Sequence, residues 1–220
     1  MRSVVLRGLV CWLSLLILAA FSADSVAGGK KVYKSPQEVF EAAKKAAEKE
    51  DIKTLLGCIT ADSRDAIAGG FVWMAGFIKA FGKFAKEDDV GKKLDKVLEK
   101  HGLTEEIFKK LEEKKEKIDL NDPVQAKAAF LQLAKLVKDR DGFILDIAAI
   151  ADKKNKAGAF EDLVGSNPTL KDVKIAGDVA KGVLVGTKDG AEVRKPLEFR
   201  REDGSWKIDV PLPEMKKKKS

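Results

Sequence analysis

From Ala66 to Ile78 (AIAGGFVWMAGFI) the chain carries no charged or strongly polar side chain. Read at 3.6 residues per turn and continued to Phe84, this stretch presents two apolar stripes. Ile67, Phe71, Met74, Ile78 and Phe81 form one, and Trp73, Phe77 and Phe84 form the other. A helix that is apolar on two sides must be covered on two sides, so the segment predicts a helix at the centre of a core. It is too short to cross a bilayer, which takes about 20 apolar residues, and Lys79 and Lys83 interrupt its end. The other reading is a lipid- or ligand-facing helix, with Trp73, Phe77 and Phe81 as the candidate ligand-binding residues.

The start of the chain indicates export. Arg2 and Arg7 precede the apolar run Leu9 to Phe21, and Ser25-Val26-Ala27 precedes Gly28-Gly29. A positive start, a short apolar middle and a small-x-small exit are the parts of a secretory signal peptide, with cleavage expected after Ala27 or after Ala23. An uncleaved membrane anchor is the alternative, and the expected location is secreted or periplasmic. Cys11 leaves with residues 1–27, so the exported chain keeps Cys58 alone. One thiol makes no internal disulfide, so stability must come from a core. Leu55, Leu56 and Ile59 surround Cys58 in the sequence, which predicts a small buried hydrophobe rather than a reactive thiol.

Charge narrows the partners. The leader holds Arg2, Arg7 and Asp24, a net +1, and Lys216 to Lys219 add +4, so of the formal +7 only +2 remains on residues 28–215. The body is nearly neutral and the excess is a tail, residues 214–220. A solvated tail is one reading. Contact with an anionic surface through Lys216, Lys217, Lys218 and Lys219 is the other. No aromatic residue is interleaved with these lysines, which argues against nucleic acid.

In chain order, 28–34 reads as a flexible lead. Ser35-Pro36 with Glu38 is a capping box with a pre-set first turn, opening a helix with Val39, Phe40, Ala43 and Ala47 inward. A short helix over Asp51 to Cys58 follows, and Thr60 caps the apolar helix. Residues 86–160 are helical and charged. Val90, Leu94, Val97, Leu98 and His101 share one face, and Gly102 ends that helix. Thr104 restarts it, with Ile107, Phe108, Leu111 and Ile118 inward. Asp122-Pro123-Val124-Gln125 caps a helix to about Lys138, Asp141-Gly142 breaks it, and Phe143 to Ala151 forms one more. After Pro168 the period becomes two, and an antiparallel meander is expected, with turns at Gly177-Asp178, Asp189-Gly190 and Asp203-Gly204. Gly182 to Gly186 suits an interior strand, and Pro196 marks an edge or bulge. The Asp203-Gly204 turn places Phe199 opposite Ile208, Leu197 opposite Val210 and Arg201 opposite Trp206, all on one face.

The capped opening, SPQEVFEAAKKAAEKEDIKTLLGCITADSRD, and the closing LEFRREDGSWKIDVP resemble the nuclear-transport-factor-2-like superfamily. The resemblance covers about residues 35–68 and 170–212, with Asp203, Gly204, Trp206, Lys207 and Ile208 in the last hairpin. It implies a cystatin-like cone, in which N-terminal helices pack into the concave face of a curved sheet, with residues 86–160 as an insertion. Enzymes of that superfamily place His, Asp or Tyr inside the cone as acid and base. This chain has one histidine, His101, and one tyrosine, Tyr33. His101 reads as a last-turn helix residue, favoured by the negative dipole end, and without clustered Cys or carboxylates it predicts no zinc site. HExxH, GxSxG, the phosphate-cradling glycine loop and the EF-hand loop are all missing from the sequence. Asp62 and Asp65 read as capping and surface pairing, and Gly69-Gly70 as close helix packing.

The expected architecture is thus α+β. Residues 35–213 form one domain, N-terminal helices pack on a C-terminal antiparallel meander, and the Trp73 segment lies between the meander and the mid-chain helices. The expected function is an exported, non-catalytic binding or interaction module for an unknown apolar molecule or protein partner. The alternative is an isomerase- or hydratase-like enzyme. No cofactor, metal or catalytic residue is assigned.

Overall fold

The computed structural model describes residues 31–81, 89–113, 122–150, 166–188 and 190–210. The leader with its exit at Ala23 or Ala27, Phe84, Ile118, Asp189 and the Lys216–Lys219 tail lie outside the described residues. The fold is α+β, with seven described helices followed by a four-stranded antiparallel sheet in the order β1-β2-β3-β4. The helices are α1 (Pro36–Glu48), α2 (Ile52–Cys58), α3 (Ala61–Phe81), α4 (Asp89–Lys100), α5 (Glu105–Glu113), α6 (Pro123–Ala134) and α7 (Arg140–Ile150). The strands are β1 (Ser166–Ala176), β2 (Val179–Lys188), β3 (Ala191–Glu202) and β4 (Ser205–Asp209). Residues 35–213, expected as one domain, divide into two compact units, one of residues up to Thr60 with the sheet and one beginning at Ala61 and ending at Ile150.

In the sheet unit, Ser35 caps α1 as its sequence implies: the Glu38 N–H donates to Ser35 Oγ at 3.1 Å. The Glu38 carboxylate reaches back to the Lys34 N–H at 2.8 Å, one residue before the cap. Val39, Phe40, Ala43, Ala46 and Ala47 are buried, and α1 packs against both β1 and β4. Those two strands are the edges of the sheet, so α1 reaches across its whole width. Within the sheet, Gly182 leaves room for its β1 neighbour: a Cβ there would meet the Leu170 methyl at 2.8 Å. Phe199 pairs with Ile208 and Arg201 with Trp206, as the turn arithmetic requires, while Val210 falls beyond the end of β4. Pro196 pairs with Val183 on a part of β3 that β4 does not reach, so its missing N–H leaves no gap in the β3–β4 ladder.

In the helical unit α3 packs on α6 and α7, and α4 packs on α7. Ala66, Ile67, Ala68, Phe71, Val72 and Ala75 are buried, and Phe71 meets the Phe143 ring edge-on at 6.4 Å. Within its unit the apolar helix packs most on α6, and within the other unit α1 and α2 pack on the sheet. Gly69 sets the closest approach, since a Cβ there would lie 1.8 Å from the Phe130 carbonyl oxygen of α6. Asp122 caps α6 by accepting from the Val124 and Gln125 N–H groups at 2.9 and 3.2 Å.

Three local expectations change. First, α6 ends at Ala134 rather than near Lys138, because Lys135, Leu136 and Val137 bond three residues back and Arg140 Nε takes the Ala134 carbonyl at 3.0 Å. Second, Asp141-Gly142 does not break a helix but lies in the first turn of α7. Asp139 is the reason: its carboxylate accepts the Gly142 N–H at 3.0 Å, and a Cβ on Gly142 would fall 2.2 Å from that carboxylate. Third, Val90 does not join the inward face of α4 and is 54% exposed.

Candidate functional site

The apolar helix changes character along its length. Ala66 to Val72 are buried, but Trp73, Met74, Gly76, Phe77, Ile78 and Lys79 are only half-buried. Spacing of four residues puts Trp73 and Phe77 on one side, where their rings stack at 5.9 Å with 21° between planes. The Trp73 ring also leans on Phe130 of α6 at 6.4 Å. Phe81 is the last residue of the helix and continues the same four-residue spacing; its side chain lies outside the described residues. The structure thus brings Trp73 and Phe77 together as a partly open aromatic stripe. Gly76 lies on another side of α3, where an added Cβ would stand 3.4 Å from the Phe108 ring, and the Lys79 ammonium stands 5.5 Å from that ring. Lys79 also pairs with Asp95 of α4 at 3.0 Å.

His101 follows α4, where Gly102 takes the left-handed conformation, φ 82°. Its imidazole is buried, lies 5.3 Å from the Phe143 ring, and shares Asp146 Oδ2 with Lys100 at 2.7 and 2.6 Å. Burial alone would raise the Asp146 carboxyl, but hydrogen bonds from Lys100 and His101 outweigh it and hold it below the usual carboxylate range. The histidine is a tie between α4 and α7. Asp65 and Arg64 pair with Arg140 and Asp141 at 3.3 and 2.9 Å, joining the starts of α3 and α7.

A buried polar group that the sequence reading missed lies on β4. Ser205, Lys207 and Asp209 alternate with Trp206 and Ile208, which is the pattern of a strand with one wet face, yet all five are buried. The 31–34 and 57–60 segments cover them. The Lys207 ammonium donates to the Gly57 carbonyl at the end of α2, where the helix dipole favours a cation. It also stands 5.5 Å from the Tyr33 ring centroid. The Cys58 thiol donates to the Tyr33 hydroxyl at 3.4 Å. Burial pushes the Cys58 thiol up, against the opposing pull of the Tyr33 hydrogen bond and Lys207, and burial with the thiol contact pushes the Tyr33 phenol up. Asp209 holds Arg200 Nε at 2.7 Å and lies 3.5 Å from the Thr60 hydroxyl. The one sequence signal for this group is that the strand's polar residues are aligned at every second position, which a solvated face shares.

No group of three or more His, Cys, Asp or Glu side chains could hold a metal ion among the described residues. No described helix is long and apolar enough to cross a membrane. No protein-family model, characterised protein or solved structure matches this chain.

Proposed function

We propose that the chain is an exported, non-catalytic binding module whose α3 stripe, Trp73, Phe77 and Phe81, takes an apolar molecule or the apolar side chain of a protein partner. The observation that carries this reading is the stacked Trp73–Phe77 pair, left half-buried directly after the buried run Ala66 to Val72. Wet aromatic surface costs about 25 cal/mol per Å², and an apolar occupant recovers that free energy. The buried titratable groups support a module without catalysis. Lys207 is held by a helix-end carbonyl, Asp209 by Arg200, and His101 by Asp146, so each already serves a structural tie. Support for the cone-like arrangement comes from α1 touching both edge strands. Export rests on the leader and anionic-surface contact on the lysine tail, which salt would screen.

Trp73 supplies the test. With Trp12→Phe and Trp206→Phe, Trp73 is the sole tryptophan of the chain. Titration with dodecanoate is expected to shift its emission to the blue and saturate, and Phe77→Ala is expected to weaken binding about tenfold or more. Emission that dodecanoate leaves unchanged, in a chain that stays folded, rejects the small-molecule reading of the stripe.

A further inference from the structure

Lys31 to Lys34 forms no helix or strand, yet it is built into the edge of the sheet. The Tyr33 N–H donates to Ser205 Oγ at 2.9 Å, and the Tyr33 carbonyl accepts the Trp206 N–H at 2.9 Å. Lys31, Val32 and Lys34 are exposed, whereas Tyr33 is 3% exposed. One side chain of the four points inward, as a plug. Beneath it lie the Cys58 thiol and the Lys207 ammonium, and the Lys31 ammonium stands 5.5 Å from the same ring.

We propose that residues 31–34 are a releasable strap: it closes the β4 edge with Tyr33 as its plug, and it opens without unfolding of the sheet to expose Cys58 and Lys207 to water. The strap's grip on β4 is two hydrogen bonds and one aromatic side chain, whereas five residues of β4 pair with β3. Its hinge is Lys34, ahead of the Ser35 cap, so α1 keeps its own start when the strap lifts. The slot left behind is polar. Lys207 retains the Gly57 carbonyl, and the Ser205 hydroxyl has the Trp206 carbonyl at 3.4 Å, so water enters without stranding a charge. Segments that open locally are those held by few contacts, and residues 31–34 hold β4 by two hydrogen bonds and one buried side chain, against the five paired positions that hold β4 to β3. Opening returns the thiol to water beside a cation, the setting that makes a cysteine reactive. The device therefore leaves a chemically silent thiol while closed and an available one while open.

The experiment follows the alkylation rate of Cys58 by iodoacetamide in the full chain carrying Cys11→Ser, where Cys58 is the sole cysteine. The expected rate is flat across urea concentrations below the unfolding transition, because lifting four residues exposes little surface. Ser205→Ala, which removes the acceptor of the Tyr33 N–H, is expected to raise it about fivefold. Tyr33→Ala is expected to raise it about tenfold or more, with the circular dichroism of the sheet retained. A rate that climbs with urea as steeply as global unfolding, or that neither substitution changes in a folded chain, overturns the strap. If Tyr33→Ala does not fold, Ser205→Ala alone decides: a faster, urea-independent rate supports the strap, and an unchanged rate rejects it.

Discussion

Cys58 and Tyr33 share a burial that ties stability to alkaline pH. Both are acids that are neutral in the fold, and burial pushes both above their ordinary values of 9.0 and 10.0. Below pH 9 the folded and unfolded chains both keep these protons, so the full stability is present. As pH rises through 9 the unfolded thiol ionises while the buried one does not. The unfolded state then binds fewer protons, and stability falls. Past pH 10 the phenol adds a second loss of the same sign. Urea unfolding between pH 8 and 10 is expected to show the first decline in the parent chain and to lose it in Cys58→Ser, whose hydroxyl does not titrate there. A Cys58→Ser profile as steep as the parent's between pH 9 and 10 would assign the alkaline loss to other groups.

At the scale of elements, the ends of helices were more legible than their neighbours. Ser35-Pro36 and Asp122-Pro123 name their own caps because the hydrogen bonds run to N–H groups two or three residues on, within the same few letters. Ser35→Ala is expected to lower stability by about 1 kcal/mol, read as a smaller urea midpoint with unchanged slope. A change below about 0.3 kcal/mol would mean that the Glu38 bond to Lys34 N–H holds the first turn unaided. The strands were legible for a similar reason: period two and an Asp-Gly turn place Phe199 against Ile208 without reference to anything distant. Where distant residues decide, the letters mislead. Asp141-Gly142 has the composition of a break, but Asp139 caps across it and the glycine gives that carboxylate room. Lys207 and Asp209 look like a solvated face, since nothing near them in sequence announces that Tyr33, Gly57 and Thr60 lie over them. The Trp73–Phe77 side was legible as an aromatic stripe from its spacing of four. That it is half-buried depends on how far α6 reaches along α3, which only packing settles.

At the scale of the whole molecule, the chain enters the sheet unit at its first helices, leaves it at Ala61, and returns for the strands. Each unit has its own aromatic core, Phe71, Phe130 and Phe143 in one and Phe40, Phe199 and Trp206 in the other. Each also has its own tryptophan, Trp73 in α3 and Trp206 in β4, which makes the division measurable. Gly69→Ala is the informative perturbation. Its methyl would stand 1.8 Å from the Phe130 carbonyl oxygen, a backbone atom that moves only if α3 and α6 separate. Overpacking of that kind costs about 1–3 kcal/mol. If the units are separate cooperative blocks, guanidinium unfolding of Gly69→Ala shows a lowered midpoint through Trp73, in the Trp12→Phe, Trp206→Phe background. The midpoint through Trp206, in the Trp12→Phe, Trp73→Phe background, stays where the parent's is. Equal falls in both midpoints would instead mean that the strain at Gly69 is felt by the sheet, and that the chain unfolds as one block despite its two cores.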